Sequence, residues 1–405
     1  MYSYQLHANI QKAFFTRALF FLFGVGLMMI APRTPDLKAN LHVNNGTLGS
    51  LLSISAAGAF IALIYMGQIV HRFGARPVLI FAATWLYSFM AMQPHIHTTW
   101  IFAINQICVG MGWAGYHITI NSQGLNRQQA SGIPILPKLH GTWSIGALVT
   151  ALIAIGITSH VTLAKHVDIG LTVIWVLTMY SIHRLKDVLV PASREHSEDD
   201  VKPSVKSIIT FFKADWVIVM AITAGVLLET STNDWATLFT KEDIKASPSL
   251  AILSYVGFGL GMIVGRLNVH KLYLRYSERQ IIRTSALFGG AAFIVAVQIA
   301  SHLAPHHPAI GLTCAVIAFF CGGVGSSSMA PGFTTIATRN SKFPTGFVVA
   351  QLTLVNTAIF FMSRIIISWI AQATSITTAL MIPGAVLFMT MIFAKLGSDT
   401  VLAKR

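Results

Sequence analysis

The sequence predicts an all-α membrane protein of twelve transmembrane helices in two pseudo-symmetric six-helix halves. Three observations carry that prediction. The 405 residues are 54% hydrophobic and 10% charged, with a mean hydropathy of +0.66, whereas a soluble protein carries roughly 25% charged residues. The apolar residues fall in repeated runs of about 20, the length that crosses a ~30 Å hydrocarbon core. The widest charged break, His183–Lys213, lies near the midpoint and leaves six runs on each side.

Taken in order, the spans are expected near 14–34, 47–68, 77–94, 99–121, 139–159 and 166–183. The second set follows near 214–236, 248–267, 281–302, 308–331, 345–367 and 374–395. The domains are then an N-terminal half over 1–183, a cytoplasmic linker over 184–213 and a C-terminal half over 214–405. The polar start Met1–Lys12 runs directly into the first span without a cleavage pattern, so that span is expected to be retained. Lys and Arg cluster in alternate loops, which places both termini in the cytoplasm. Arg72, Arg76, Arg127, Arg184, Arg266, Arg275 and Arg279 belong to that cytoplasmic set. The net charge of +14 is thus topological. No basic patch interleaved with aromatics lies outside these loops, so nucleic acid is not an expected partner. Cys108, Cys314 and Cys321 lie inside spans and read as packing residues.

An internal repeat supports two halves. The loop after the second span contains Arg72, Phe73 and Arg76, and the loop after the eighth contains Arg275, Tyr276 and Arg279 at one constant offset. A basic–aromatic–x–x–basic loop in equivalent places is what a duplicated six-span unit predicts.

At these residues the chain resembles the major facilitator superfamily, whose signature after the second span is a Gly, then Asp-Arg, a small turn and further basic residues. Gly67, Arg72, Gly74 and Arg76 match; His71 stands at the aspartate position, and the second copy has Leu274 where an acid is common. In the family this loop latches the halves on the cytoplasmic face, so such a latch here would need other partners. The chain also resembles the YbjJ-type branch of bacterial inner-membrane transporters, in the stretches Ala31–Pro35, Asn121–Gly124, Leu139–Gly146, Glu229–Trp235 and Tyr255–Arg266. The resemblance implies transport and a bacterial inner-membrane location, and leaves the cargo open.

The candidate pathway residues are polar groups in apolar spans. Glu229 is the only acid deep within one, where a carboxyl costs about 2.5–3.5 kcal/mol and usually faces a bundle interior or a watery cavity. Asn233 shares its helix face, four residues on. Glu229 has two expected roles: exchanging a proton in each cycle, or holding a basic or hydroxylated substrate. The plain alternative is a hydrogen bond to a neighbouring helix. In the fourth span Gln106, Gly110, Trp113, His117 and Asn121 follow at helical spacing and form one stripe, which either lines a cavity or glues helices together. Asp234 and Arg33, near the outer ends of the seventh and first spans, are expected to form an outer gate. Trp235 is expected to anchor the helix at the interface, and Arg364 to snorkel from the eleventh span. The small-residue run from Gly322 to Pro331 is expected to act as a hinge or a broken helix.

Together these features predict a secondary transporter that moves a small organic solute by alternating access, with a coupling proton as partner. An exporter of drugs or metabolites with the same fold is the alternative. A membrane-embedded enzyme would need a nucleophile–base or metal constellation, and His117 with Glu229 is the only faint candidate. The absence of a Walker-type loop disfavours an ATP-driven pump. Neither cofactor nor metal is expected, the loop histidines being solvated, and the protein is expected to work as a monomer in the lipid bilayer.

Overall fold

The structure, a computed structural model, describes residues 2–131, 135–186, 189, 216–340 and 345–400. Apart from its first few residues, the expected 184–213 linker lies outside them. The described residues form helices without strands. In the first part of the chain these are α1 (Tyr2–Leu27), α2 (Thr34–Leu41), α3 (Asn45–Ser53), α4 (Ser55–Phe73), α5 (Ala75–Met92), α6 (Thr99–Ser131), α7 (Leu136–Ile157) and α8 (Leu163–Arg184). The second part holds α9 (Trp216–Glu242), α10 (Pro248–Ala251), α11 (Leu253–Tyr273), α12 (Glu278–Leu303), α13 (Pro308–Ser326), α14 (Met329–Asn340), α15 (Thr345–Ala373) and α16 (Ile376–Met389).

Among the described residues, eleven segments are long and apolar enough to cross a membrane. Helix α6 is not one of them, because its polar stripe dilutes its hydropathy. Its 33 residues still span about 50 Å, and with it the twelve expected spans are accounted for. The chain is therefore an all-α, multi-pass membrane protein.

Local chemistry sets the helix ends. Gly74 separates α4 from α5 at φ 83°, ψ 158°, a conformation open to glycine, and its N–H donates to the Val70 carbonyl at 2.8 Å. Ser277 caps α12 in a reciprocal box with Gln280. Ser375 caps α16 through the Thr378 N–H, and Pro308 occupies the first turn of α13.

The chain divides into two compact units. Unit 1 comprises Met1–Ile30, Ile54–Thr150 and Val161–Phe212; unit 2 comprises Ala31–Ser53, Ala151–His160 and Lys213–Arg405. In unit 1, α6 packs on α4 and α5, while α8 packs on α1 and α5. Tyr116 stacks on Phe23 with centroids 4.4 Å apart, and both are fully buried. In unit 2, α13 packs on α11 and α12, and α9 touches α11, α13, α14, α15 and α16. The Phe239, Phe293 and Phe319 rings fill its centre.

The same backbone contact recurs in both units. On α4 and α6, a methyl group on Gly58 would overlap the Ile107 carbonyl, and one on Gly110 would overlap the Ser55 carbonyl. On α11 and α13, Gly261 sits against the Phe320 carbonyl and Gly323 against the Phe258 carbonyl. In each case the glycine meets the carbonyl three residues before its partner glycine. Gly58 and Gly261 are separated by the same offset that relates Arg72 to Arg275, so the loop repeat extends into the packing. Small residues that let backbones touch substitute for a hydrophobic driving force within lipid.

Gly58→Leu should lower the thermal unfolding midpoint of the detergent-solubilised protein by several degrees, since overpacking costs about 1–3 kcal/mol. Gly156→Ala, where an added Cβ meets nothing within 4 Å, should leave the midpoint unchanged.

Candidate functional site

Helix α9 is buried on almost every side. Between Ala221 and Thr240 only Val226, Glu229, Thr230 and Asn233 are partly exposed. These four stand at i, i+3, i+4 and i+7, which is one stripe of an α-helix. Three of them are polar.

Glu229 lies within this stripe, its side chain 23% exposed, with Oε1 3.6 Å from Nη2 of Arg266. The charge count placed Arg266 with the cytoplasmic basic residues. It lies within α11, two turns before the helix ends, and its guanidinium reaches Glu229. Gly257, Gly261 and Gly265 form the face of α11 against α13. Their close seating leaves the neighbouring Arg266 directed elsewhere.

Asp234 forms a different kind of pair. Arg364 of α15 grips it with two parallel bonds, Nε to Oδ2 at 2.7 Å and Nη2 to Oδ1 at 2.9 Å. The Asp234 side chain is only 10% exposed. Arg364 thus reaches inward instead of snorkelling, because a buried carboxylate lies within its fork. Arg33, expected opposite Asp234, is buried and holds Asp36 at 2.6 Å, one turn along the chain. The two expected gate residues therefore hold separate partners. Trp235 is not an interfacial anchor: it is 2% exposed, and Gly49 of α3 lies against its ring.

Within unit 2, α2 and α3 are fastened to α9 and α15. Lys38 Nζ meets Glu242 Oε1 at 2.6 Å, and Asn45 Nδ2 donates to Glu242 Oε2 at 3.3 Å. The Asn45 N–H donates to Gln372 Oε1 at 3.0 Å, and Trp369 Nε1 to Ser50 Oγ at 3.1 Å. Gly46 lies flat on the Trp369 ring and Gly49 on Ser368. None of these partners is near in sequence, and none carries a motif that could have announced it.

The expected stripe of α6, in unit 1, separates into two parts. Gln106 is buried and accepts a hydrogen bond from Gln93 Nε2 at 3.1 Å, and Gly110 is the backbone contact with α4. These two hold helices together. Trp113, His117 and Asn121 are partly exposed. The His117 ring stacks on Trp113 at 5.4 Å, with His140 of α7 6.4 Å away. Asn121 Nδ2 donates to the His117 carbonyl at 2.8 Å. His140 was missed because it lies on another span.

The loop motif also separates by copy. Gly67 lies on α4, Gly74 makes the turn, Arg72 and Arg76 are exposed, and the Arg72 guanidinium covers the Phe73 ring at 5.4 Å. In the second copy, with Leu274 at the acid's place, the Arg275 N–H closes a turn to the Leu272 carbonyl. Arg279 pairs with Asp399 at 2.8 Å. The adjacent Glu278 takes both arms of Arg339, at 2.8 and 2.9 Å, and the Ser398 N–H at 2.9 Å. The small-residue run does break its helix: α13 stops at Ser326 and α14 starts at Met329. The hydroxyls of Ser326 and Ser328 are buried there without a hydrogen-bond partner among the described residues.

Twelve spans, a repeated loop and a charged pair inside the second unit are the setting for the comparisons with known proteins. The family model described as Major Facilitator Superfamily matches residues 18–363. An uncharacterised MFS-type transporter of Yersinia pestis is 25% identical, with 92% of each chain covered. The membrane protein MosC of Rhizobium meliloti is 25% identical over 72% of this chain and 70% of its own. Among solved structures, the nucleoside transporter NupG superposes with a TM-score of 0.71 at 13% identity, covering 96% of this chain and 99% of that one. A D-xylose–proton symporter gives 0.70 at 15%, covering 96% and 98%. At such identities these structures speak for the fold. Since the family model covers most of the sequence and the helices follow the same plan, the chain belongs to the Major Facilitator Superfamily of secondary transporters.

Proposed function

We propose that the protein moves a small organic solute by alternating access and couples that movement to a proton carried by Glu229. One observation supports this above the others: Glu229 meets Arg266 at 3.6 Å and lies on the partly exposed stripe of α9 between Ala221 and Thr240. A carboxylate that only braced helices would be gripped and closed off, as Asp234 is by Arg364. Glu229 instead meets Arg266 at 3.6 Å and keeps a partly exposed side. That partial exposure gives a proton a route to the carboxylate. Thr230 and Asn233 on the same stripe are the further groups offered to the solute.

The halves 1–183 and 214–405 are the moving bodies in this reading, joined by the 184–213 linker. Both termini are cytoplasmic, the location is the bacterial inner membrane, and the chain works as a monomer. The segment Ala31–Ser53 is the outer gate. Lys38–Glu242, Asn45 and the seating of Gly46 and Gly49 hold it shut, while Arg33 and Asp234 brace it through Asp36 and Arg364.

Two measurements test this. In proteoliposomes enclosing a pH-sensitive dye and presented with a metabolite panel, the wild type should move protons when its solute is added. Glu229→Gln should abolish that signal while leaving solute exchange intact; proton movement that persists in the variant overturns the coupling role. For the gate, Lys38→Glu and Glu242→Lys should each reduce transport about fivefold or more, the effect of ~1 kcal/mol on a two-state equilibrium. The double variant should recover most of it, and no recovery would remove the pair from the gate.

A further inference from the structure

We infer that the residues after α16, Lys395–Asp399, are a strap that works through Glu278 to hold α14 in place. Its release frees α14 to turn about the break that precedes it.

The strap is built on the start of α12. The first N–H groups of a helix have no carbonyl of their own to bond. Here Ser277 Oγ takes the Gln280 N–H at 3.2 Å, and the Ser398 carbonyl takes the Arg279 N–H at 3.3 Å. The Arg279 side chain closes over the strap. Its Nη1 lies 2.8 Å from Asp399 Oδ2, and its Nη2 donates to the Lys395 carbonyl at 3.4 Å. Gly397 is seated so closely that an added Cβ would lie 2.9 Å from the Arg279 nitrogen and 3.1 Å from Glu278. Its backbone is extended, at φ −74° and ψ 151°, so space and not conformation requires the glycine.

Glu278 joins the strap to α14. The Ser398 N–H donates to Oε2 at 2.9 Å, and Arg339 lays both arms across the carboxylate at 2.8 and 2.9 Å. The strap amide thus fixes the orientation in which the carboxylate meets the planar fork of Arg339. Arg339 is the next-to-last residue of α14. That helix has 12 residues and buries one stripe, Met329, Phe333, Ile336 and Ala337. At its other end Pro331 has no N–H to offer the Ser327 carbonyl. The hydroxyls of Ser326 and Ser328, 3% exposed, are without a hydrogen-bond partner among the described residues. Buried hydroxyls left in that state are costly. The break is therefore the weak point of the segment, and the Arg339 end is its fastening.

The test follows amide hydrogen exchange of the full-length protein in detergent, read by mass spectrometry over α12, α13 and α14. Gly397→Val displaces the strap without removing a charge. It should speed exchange in Met329–Asn340, and in the peptide that begins α12, by about tenfold. Exchange in α13 and the thermal midpoint should stay as in the wild type. Arg339→Gln should speed α14 by a similar factor while the start of α12 stays protected. Gly397→Val/Arg339→Gln should add little to α14 beyond either single variant, because both cut the same tie. A loosened α12 start with unchanged α14 exchange overturns the inference, and so does full additivity. An even rise across α12, α13 and α14, or a fallen midpoint, overturns it too, since the strap is then a general support. Should Gly397→Val leave the α12 start protected, the strap is still seated. A chain ended at Leu396 must then give the α14 pattern, or the inference falls.

Discussion

Contact between glycine and a neighbouring backbone is the constraint from which the rest of both units follows. Where Gly58 meets Ile107 and Gly261 meets Phe320, two helices approach without side chains between them. Rotation about either helix axis is then fixed, because any other face would present a Cβ to the same carbonyl. In unit 1 this seats Gly110 of α6 on α4, with Trp113 one turn on packed against Ala59 and Ala62 of the same helix. In unit 2 the glycines of α11 are spent on α13. Arg266, next to the last of them, is aimed at α9. Polar residues that would be costly against lipid are placed by residues with no side chain at all.

The charges within the second unit fall into two grades. Asp234 and Arg364 satisfy one another with two short bonds and little exposure, which suits a brace that should not change. Glu229 and Arg266 leave much of their hydrogen-bonding capacity unspent on each other. Burying an ion pair seldom adds net stability unless its geometry is good.

Fold class was legible because it rests on local signals: run length, overall hydropathy and the alternation of basic loops. Glu229 was legible for the same reason, a single acid against an apolar background. Its partner was not. Arg266 falls at the end of the eighth expected span and counts with the cytoplasmic-side charges in sequence, and its contact with Glu229 shows only in the structure. Arg364 was likewise read as snorkelling because its acid is 130 residues away. Gly110 was grouped with polar neighbours by spacing alone, although spacing cannot tell a lined cavity from a packed seam. The second loop copy appeared to have lost its acid at Leu274, whereas Glu278 and Asp399 supply carboxylates that no pattern of spacing would link.

The position of Ala31–Ser53 in unit 2 bears on how the protein is made. Lys38 and Asn45 are synthesised well ahead of their partners: Glu242 follows about 200 residues later and Gln372 more than 300. At synthesis rates of 5–20 residues per second the first of those intervals is roughly 10–40 s. During it the segment has neither its ion pair nor its seat on Trp369, and its polar groups must stay hydrated. Insertion of this segment's own helices and its closure are thus separate events, and the second waits on the helix that carries Gln372.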